Sequence, residues 1–150
     1  MSRGLSDADY QDLLAFRDGL RRFLRWSEQH AVQAGITPGQ HQLLLAIRGH
    51  PGGRPTIGDV ADHLLLRNNS VVGLVDRAVL AGLVERQFDS EDHRVVRLRL
   101  TKSGARRLAA LVTAHVDELD RLAPVFAQLG RSVTPAVSGM NRGAASHFPP

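Results

Sequence analysis

The residue pattern points to a mainly α fold with a small β-hairpin. Three observations carry that reading. Apolar residues recur at helical spacing in five segments, each opened by a capping residue or closed by glycine. Between the fourth and fifth segments the period changes to alternation, over residues 84–100. The chain is 150 residues with 43% hydrophobic and 23% charged residues, which suits one soluble domain or one domain with arms.

Ser6 with Asp9 three residues on reads as the start of a helix over about Asp7–Ala34, with Leu13, Phe16, Leu20, Phe23 and Leu24 on one face and Gly35 as its stop. So long an apolar stripe in so small a protein is expected to meet a second chain. Thr37, Pro38 and Gln40 form a cap, a first-turn proline and a reciprocal cap, opening a helix that ends near His50. A loop, Pro51–Pro55, follows. Thr56 with Asp59 opens a short helix through Leu64. A break at Leu66–Asn69 leads to a helix from about Ser70 to Ala81, stopped by Gly82. Val84–Phe88 is a strand and Asp89–His93 a turn. In the second strand Val96, Leu98 and Leu100 face one way and Val95, Arg97 and Arg99 the other. Thr101 and Ser103-Gly104 open a last helix to about Ala123, where Pro124 interrupts it. Residues 125–129 add a turn or two, and the Gly-, Ser- and Pro-rich stretch 130–150 is expected to be a disordered tail.

Composition removes whole classes of function. There is no cysteine, which excludes disulfides, zinc ribbons, thiol nucleophiles and thiol redox sensing. No apolar run reaches the roughly 18–20 residues of a membrane span. The opening MSRGLSDADY is polar and acidic, unlike a secretory signal. A cytoplasmic protein without membrane contact is the expectation. No serine has a His–Asp arrangement at a known spacing, and Gly52-Gly53 is a loop and not a phosphate-cradling motif, so no enzyme is expected.

The charge is informative by its position. Lys102 is the single lysine, so arginine dominates the 19 basic residues; GC-rich codon usage is one source of such a bias. Arginine also forks two hydrogen bonds onto phosphate or guanine. Between Arg67 and Arg107 nine basic residues face five acidic ones, which accounts for the whole net charge of +4. A local positive field of this kind suits nucleic acid.

The helices at Thr56–Leu64 and Ser70–Ala81 form a helix-turn-helix candidate, and the hairpin after them a wing. The leading edge of the second helix offers Arg67, Asn68, Asn69, Ser70, Val71 and Gly73. Asparagine pairs with adenine, serine with either base, and valine meets a thymine methyl in the major groove. Asn68-Asn69-Ser70 is also an ordinary turn-and-cap sequence. At the wing tip Asp92 can hold the Arg94 guanidinium, which a narrow minor groove attracts; the alternative is a solvated surface pair.

Thr56-Ile-Gly-Asp-Val-Ala-Asp-His-Leu, Asn69-Ser-Val-Val-Gly-Leu-Val-Asp-Arg, Ala81-Gly-Leu-Val-Glu-Arg, Asp89-Ser-Glu-Asp-His-Arg and Leu98-Arg-Leu-Thr-Lys-Ser-Gly together resemble the MarR family of bacterial regulators, over roughly Leu13–Leu122. The resemblance implies a winged helix-turn-helix with long N- and C-terminal dimerisation helices spanning 1–129, with a DNA-binding lobe at about 37–100. It implies a homodimer, usually a repressor, on a palindromic double-stranded DNA operator, released by a small ligand. Arg54, Thr56, Arg77 and Arg97 join the expected DNA surface: Thr56 begins the helix that rests on phosphate, and Arg77 supports backbone contact and wing packing. The alternative is a winged-helix protein-interaction module without specific DNA binding. Two departures stand out. Val72-Gly73 replaces a frequent Thr-Arg pair, and the final helix is expected to be short or absent beyond Leu129.

The resemblance also locates an effector pocket, for a small aromatic or anionic ligand, at Trp26, His30, His41, Arg48 and His115. Trp26 would stack on the ligand and Arg48 pair with its carboxylate; core packing is the other reading of Trp26. With no His-x-x-x-His pair and no cysteine, neither a metal site nor a cofactor is expected.

Overall fold

The computed structural model describes residues 4–138. Five helices and one hairpin follow in the order α1 (Asp7–Gln33), α2 (Pro38–Gly49), α3 (Ile57–Leu64), α4 (Asn68–Leu80), β1 (Val84–Phe88), β2 (Val96–Leu100) and α5 (Lys102–Ser138). Among the described residues no helix is long and apolar enough to cross a membrane.

The expected caps are formed. Thr37 accepts from the Gln40 backbone while Gln40 accepts from the Thr37 N–H, both at 3.0 Å. Thr56 and Asp59 make the same reciprocal pair at the head of α3. Ser6 and Asp9 do so before α1. Each pair satisfies helix N–H groups that have no partner within the helix. Gly35 and Gly82 close α1 and α4 in the left-handed region, at φ 81° and 73°.

The chain forms two compact units. The larger, Trp26–His115, has one apolar core. Leu43, Leu44 and Ile47 of α2, Val60 of α3, Val71, Val75 and Ala78 of α4, Leu98 of β2 and Leu108 and Leu111 of α5 are buried in it. β1 and β2 pair antiparallel from Val84↔Leu100 to Phe88↔Val96, and their ends fall within a residue of the sequence expectation. Leu98 faces the core as the alternation requires, and its N–H donates to the Pro55 carbonyl at 2.8 Å. At the head of α5, Thr101 donates to the Gly82 carbonyl and accepts from the Gly104 N–H. Here α5 lies so close to the preceding chain that a Cβ on Gly104 would sit 2.1 Å from the Leu83 carbonyl oxygen.

The other unit joins the start of α1 to the end of α5, with Phe16 edge-on to Phe126 at 5.8 Å. Leu13, Leu14, Leu20 and Leu24 of α1 and Val116 and Leu119 of α5 are exposed.

Two expectations are corrected. The last helix does not stop at Pro124 or Leu129 but continues to Ser138, so residues 130–138 are helical and not a disordered tail. Proline costs a helix one N–H and a clash with the carbonyl four residues back. The helix nonetheless runs through Pro124 and Pro135. The rest of the expected tail, residues 139–150, lies outside the described residues. The second correction is that α4 begins at Asn68, not Ser70, with Arg67 as a cap that makes no side-chain hydrogen bond.

Candidate nucleic-acid interface

The turn between α3 and α4 is three residues long. Leu65 adopts φ 54° and ψ 42°, and its N–H donates to the Ala61 carbonyl, as does that of Leu66. This left-handed cap folds the chain back so that α4 packs on α3. Leu65 itself is 91% exposed, an unusual conformation and place for a leucine.

The packing of α4 on the core decides which of its side chains face outward. Val71, Val75 and Ala78, spaced by four and three residues, form its inner face. Val71 is therefore wholly buried in the core, and its assignment to the reading surface is corrected. Its neighbour Val72, 40% exposed, takes the outer position. The outer row is Asn68, Asn69, Ser70, Val72 and Arg77, with Gly73 half-buried between them. Val72, Val75 and Val79 share the same helical spacing as Val71, Val75 and Ala78, so spacing alone does not choose between the two faces. The Arg77 guanidinium folds back along the helix, 3.4 Å from where a Cβ on Gly73 would be, an ordinary contact distance. Among the described residues neither Arg67 nor Arg77 has a side-chain hydrogen bond or ion pair.

The wing is braced by carboxylates. Arg94 donates through Nε and Nη2 to the two Asp92 oxygens at 3.0 and 3.1 Å, and through its backbone N–H to Asp92 Oδ1. This fork forms as the sequence suggested, and leaves the Arg94 side chain 91% exposed at the tip. Those bonds, the side-chain one foremost, hold the Asp92 pKa below the usual carboxylate value. Asp89 is more strongly held, at about 2, by Arg97 Nε at 2.6 Å and by the backbone N–H groups of Glu91 and Asp92. Its partner Arg97 also donates to the Arg54 carbonyl at 3.1 Å, and Arg54 reaches Gln87 on β1 at 3.3 Å. Arg97 thus ties the wing to the loop before α3, and is not a free cation. Its pKa is raised, chiefly by that hydrogen bond to Asp89. Asp76 of α4 pairs with Arg86 of β1, and Glu85 with Arg99 across the hairpin, so the wing also joins the reading helix.

Four of the five expected effector residues come together. Trp26 stacks on His30 at 4.9 Å, and His115 meets both Trp26 and His41 at 4.8 Å. His115 is held by two bonds: Nδ1–H donates to the Leu111 carbonyl at 2.7 Å, and Nε2 faces the Ser27 hydroxyl at 2.6 Å. His41 is 5% exposed, and burial first, then His115 and His30, lower its pKa. Arg48 stands apart from them, exposed and seven residues along α2 from His41, about 10 Å by helical rise. One face of the Trp26 ring is already covered by His30, and an open groove of about 580 Å³ nearby is lined by Glu28, Gln29, Val32, Gln33 and Pro38 instead. Among the described residues no group of three or more His, Asp or Glu is placed to hold a metal.

A helix-turn-helix with an exposed polar second helix, followed by a hairpin with an arginine tip, defines a winged helix-turn-helix protein. Residues 34–94 match the MarR family model. The fold is similar to that of AbsC, a MarR family transcriptional regulator from Streptomyces coelicolor, at 19% identity and a TM-score of 0.70, covering 92% of this chain and 97% of that one. It is also similar to MepR, a transcription regulator of the Staphylococcus aureus multidrug efflux pump MepA, at 21% identity and a TM-score of 0.69, covering 84% and 96%. A MepR point mutant bound to an oligodeoxyribonucleotide matches at 22% identity with a TM-score of 0.61, covering 84% and 95%. No curated protein sequence matches the chain at a significant level.

Proposed function

We propose that this chain is a sequence-specific transcription regulator that binds a palindromic double-stranded DNA operator as a homodimer, represses, and is released by a small ligand. The observation that carries the reading is the pairing of an unburdened outer row on α4 with an exposed arginine held at the wing tip by Asp92. Asn68, Asn69, Ser70 and Val72 are short enough to approach base edges from a helix in the major groove. Arg94, kept extended by its carboxylate, suits the minor groove beside it. Arg67 and Arg77 supply phosphate contacts, and Thr56 heads α3 where its N-terminal amides suit a phosphate. Arg54 and Arg97 act by holding the wing against that loop. The exposed leucines of α1 with Val116 and Leu119 of α5 support dimerisation through the terminal helices.

For the effector, Trp26, His30 and His115, packed over the buried His41, form an aromatic cluster suited to an aromatic ligand, while Arg48, expected to pair with an anionic one, stands apart.

A gel shift with DNA upstream of the chain's own gene tests the central reading. A shifted band at submicromolar protein, weakening steeply with salt, is expected. No shift at low salt and micromolar protein would favour a winged-helix module that binds protein instead.

A further inference from the structure

We propose that His50 and His63 form a binding site for a square-planar or tetragonal divalent ion, Ni²⁺ or Cu²⁺, at the junction of α2 and α3. His50 caps α2, and its Nδ1 lies 2.9 Å from His63 Nε2. Their rings stand nearly perpendicular, at 79°. Two nitrogens about 2.05 Å from an ion and at a right angle to it are about 2.9 Å apart, whereas a tetrahedral angle spreads them to about 3.3 Å. The separation therefore matches the cis edge of a square-planar site better than a zinc tetrahedron. It is also a hydrogen-bond distance, so a proton bridges the rings when no ion is bound.

A second feature supports coordination. The other His50 nitrogen, Nε2, lies 3.7 Å from Asp59 Oδ2. At this separation the carboxylate is not hydrogen-bonded to the ring, but its negative charge favours a cation held by the His50 imidazole. Asp59 is itself held by the Thr56 capping box, and its pKa is lowered, first by the Thr56 backbone N–H. His63 also lines an open groove of about 320 Å³ with Gln42, Leu45 and Leu64, which gives water access to the remaining coordination positions. Thirteen residues separate the two histidines, so a search for helical histidine spacing misses them.

The test uses the full chain and the ions alone. Calorimetric titration with Ni²⁺ at neutral pH is expected to show one equivalent bound, with affinity lost by about tenfold or more in both His50→Gln and His63→Gln. Both positions are away from the core, and unchanged circular dichroism and melting establish that the variants fold. Electron paramagnetic resonance of the Cu²⁺-loaded wild-type chain gives an independent reading, with splitting from two imidazole nitrogens expected. Wild-type stoichiometry and affinity in both variants would overturn the proposal. So would a Cu²⁺ spectrum with a single nitrogen, or no Ni²⁺ binding below millimolar concentration.

Discussion

Val71 and Val72 are neighbours in the chain and lie on opposite sides of α4: the first is wholly buried among α4's core contacts, the second 40% exposed on the outer row. A single helical step of about 100° therefore separates a residue that holds the lobe together from one that can meet a base. Val71→Ala is expected to destabilise the protein by about 2 kcal/mol, the sum of lost burial and a small cavity. Val72→Ala is expected to leave the denaturation midpoint unchanged and to weaken discrimination at one base step of a bound duplex. Denaturant unfolding and competition binding separate the two effects.

Gly104 admits no side chain. With a Cβ 2.1 Å from the Leu83 carbonyl oxygen, Gly104→Ala must push α5 away from the start of the hairpin. A loss of about 1–3 kcal/mol is expected, the usual range for overpacking. Gly49→Ala, which has open space around it, serves as the comparison and is expected to be neutral or slightly stabilising. Equal melting temperatures for the two variants would contradict this.

At the wing tip, the Asp92–Arg94 fork presents a charge and does not hold the fold, since the arginine is almost wholly exposed. Arg94→Ala is expected to weaken DNA binding with little dependence on sequence and to reduce the salt slope by about 1 per protomer. Asp92→Ala is expected to weaken binding less, by letting the guanidinium wander, with an unchanged melting temperature. Binding isotherms at several salt concentrations measure both.

The caps, the strand ends and the wing fork were legible in the sequence because each rests on local chemistry. Thr37 with Gln40, Thr56 with Asp59, and Asp92 with Arg94 all lie within three residues of each other. What the sequence hid depends on tertiary placement. The choice between Val71 and Val72 required the packing of α4 on the core. The continuation of α5 past Pro124 ran against proline's local preference. Arg97, expected on the DNA surface, is engaged by Asp89 and the Arg54 carbonyl, residues 8 and 43 positions away. Arg48, expected beside Trp26, His30, His41 and His115, is kept away from that cluster by the rise of α2.

His41 gives the protein a dependence on acid. Its pKa is lowered in the fold, so below about pH 6.5 the unfolded chain takes up a proton that the folded chain resists. This contribution to stability is complete above that pH. It declines as the pH falls, by at most about 1.4 kcal/mol per pH unit, and levels off once the folded-state pKa is passed. His41→Gln is expected to flatten this part of a stability–pH profile measured by denaturant unfolding. A wild-type profile that rises as the pH drops from 7 to 5 would give this burial the wrong sign.

Selection from a pool of random duplexes by the purified chain, with the mass of the recovered complex, asks most directly what the molecule does. An inverted repeat is expected, its half-sites about one helical turn, 34–36 Å, apart, bound by two copies of the chain. Recovery of no shared sequence, or of a single half-site bound by one copy, would contradict the proposed dimeric reading of DNA through α4 and the wing.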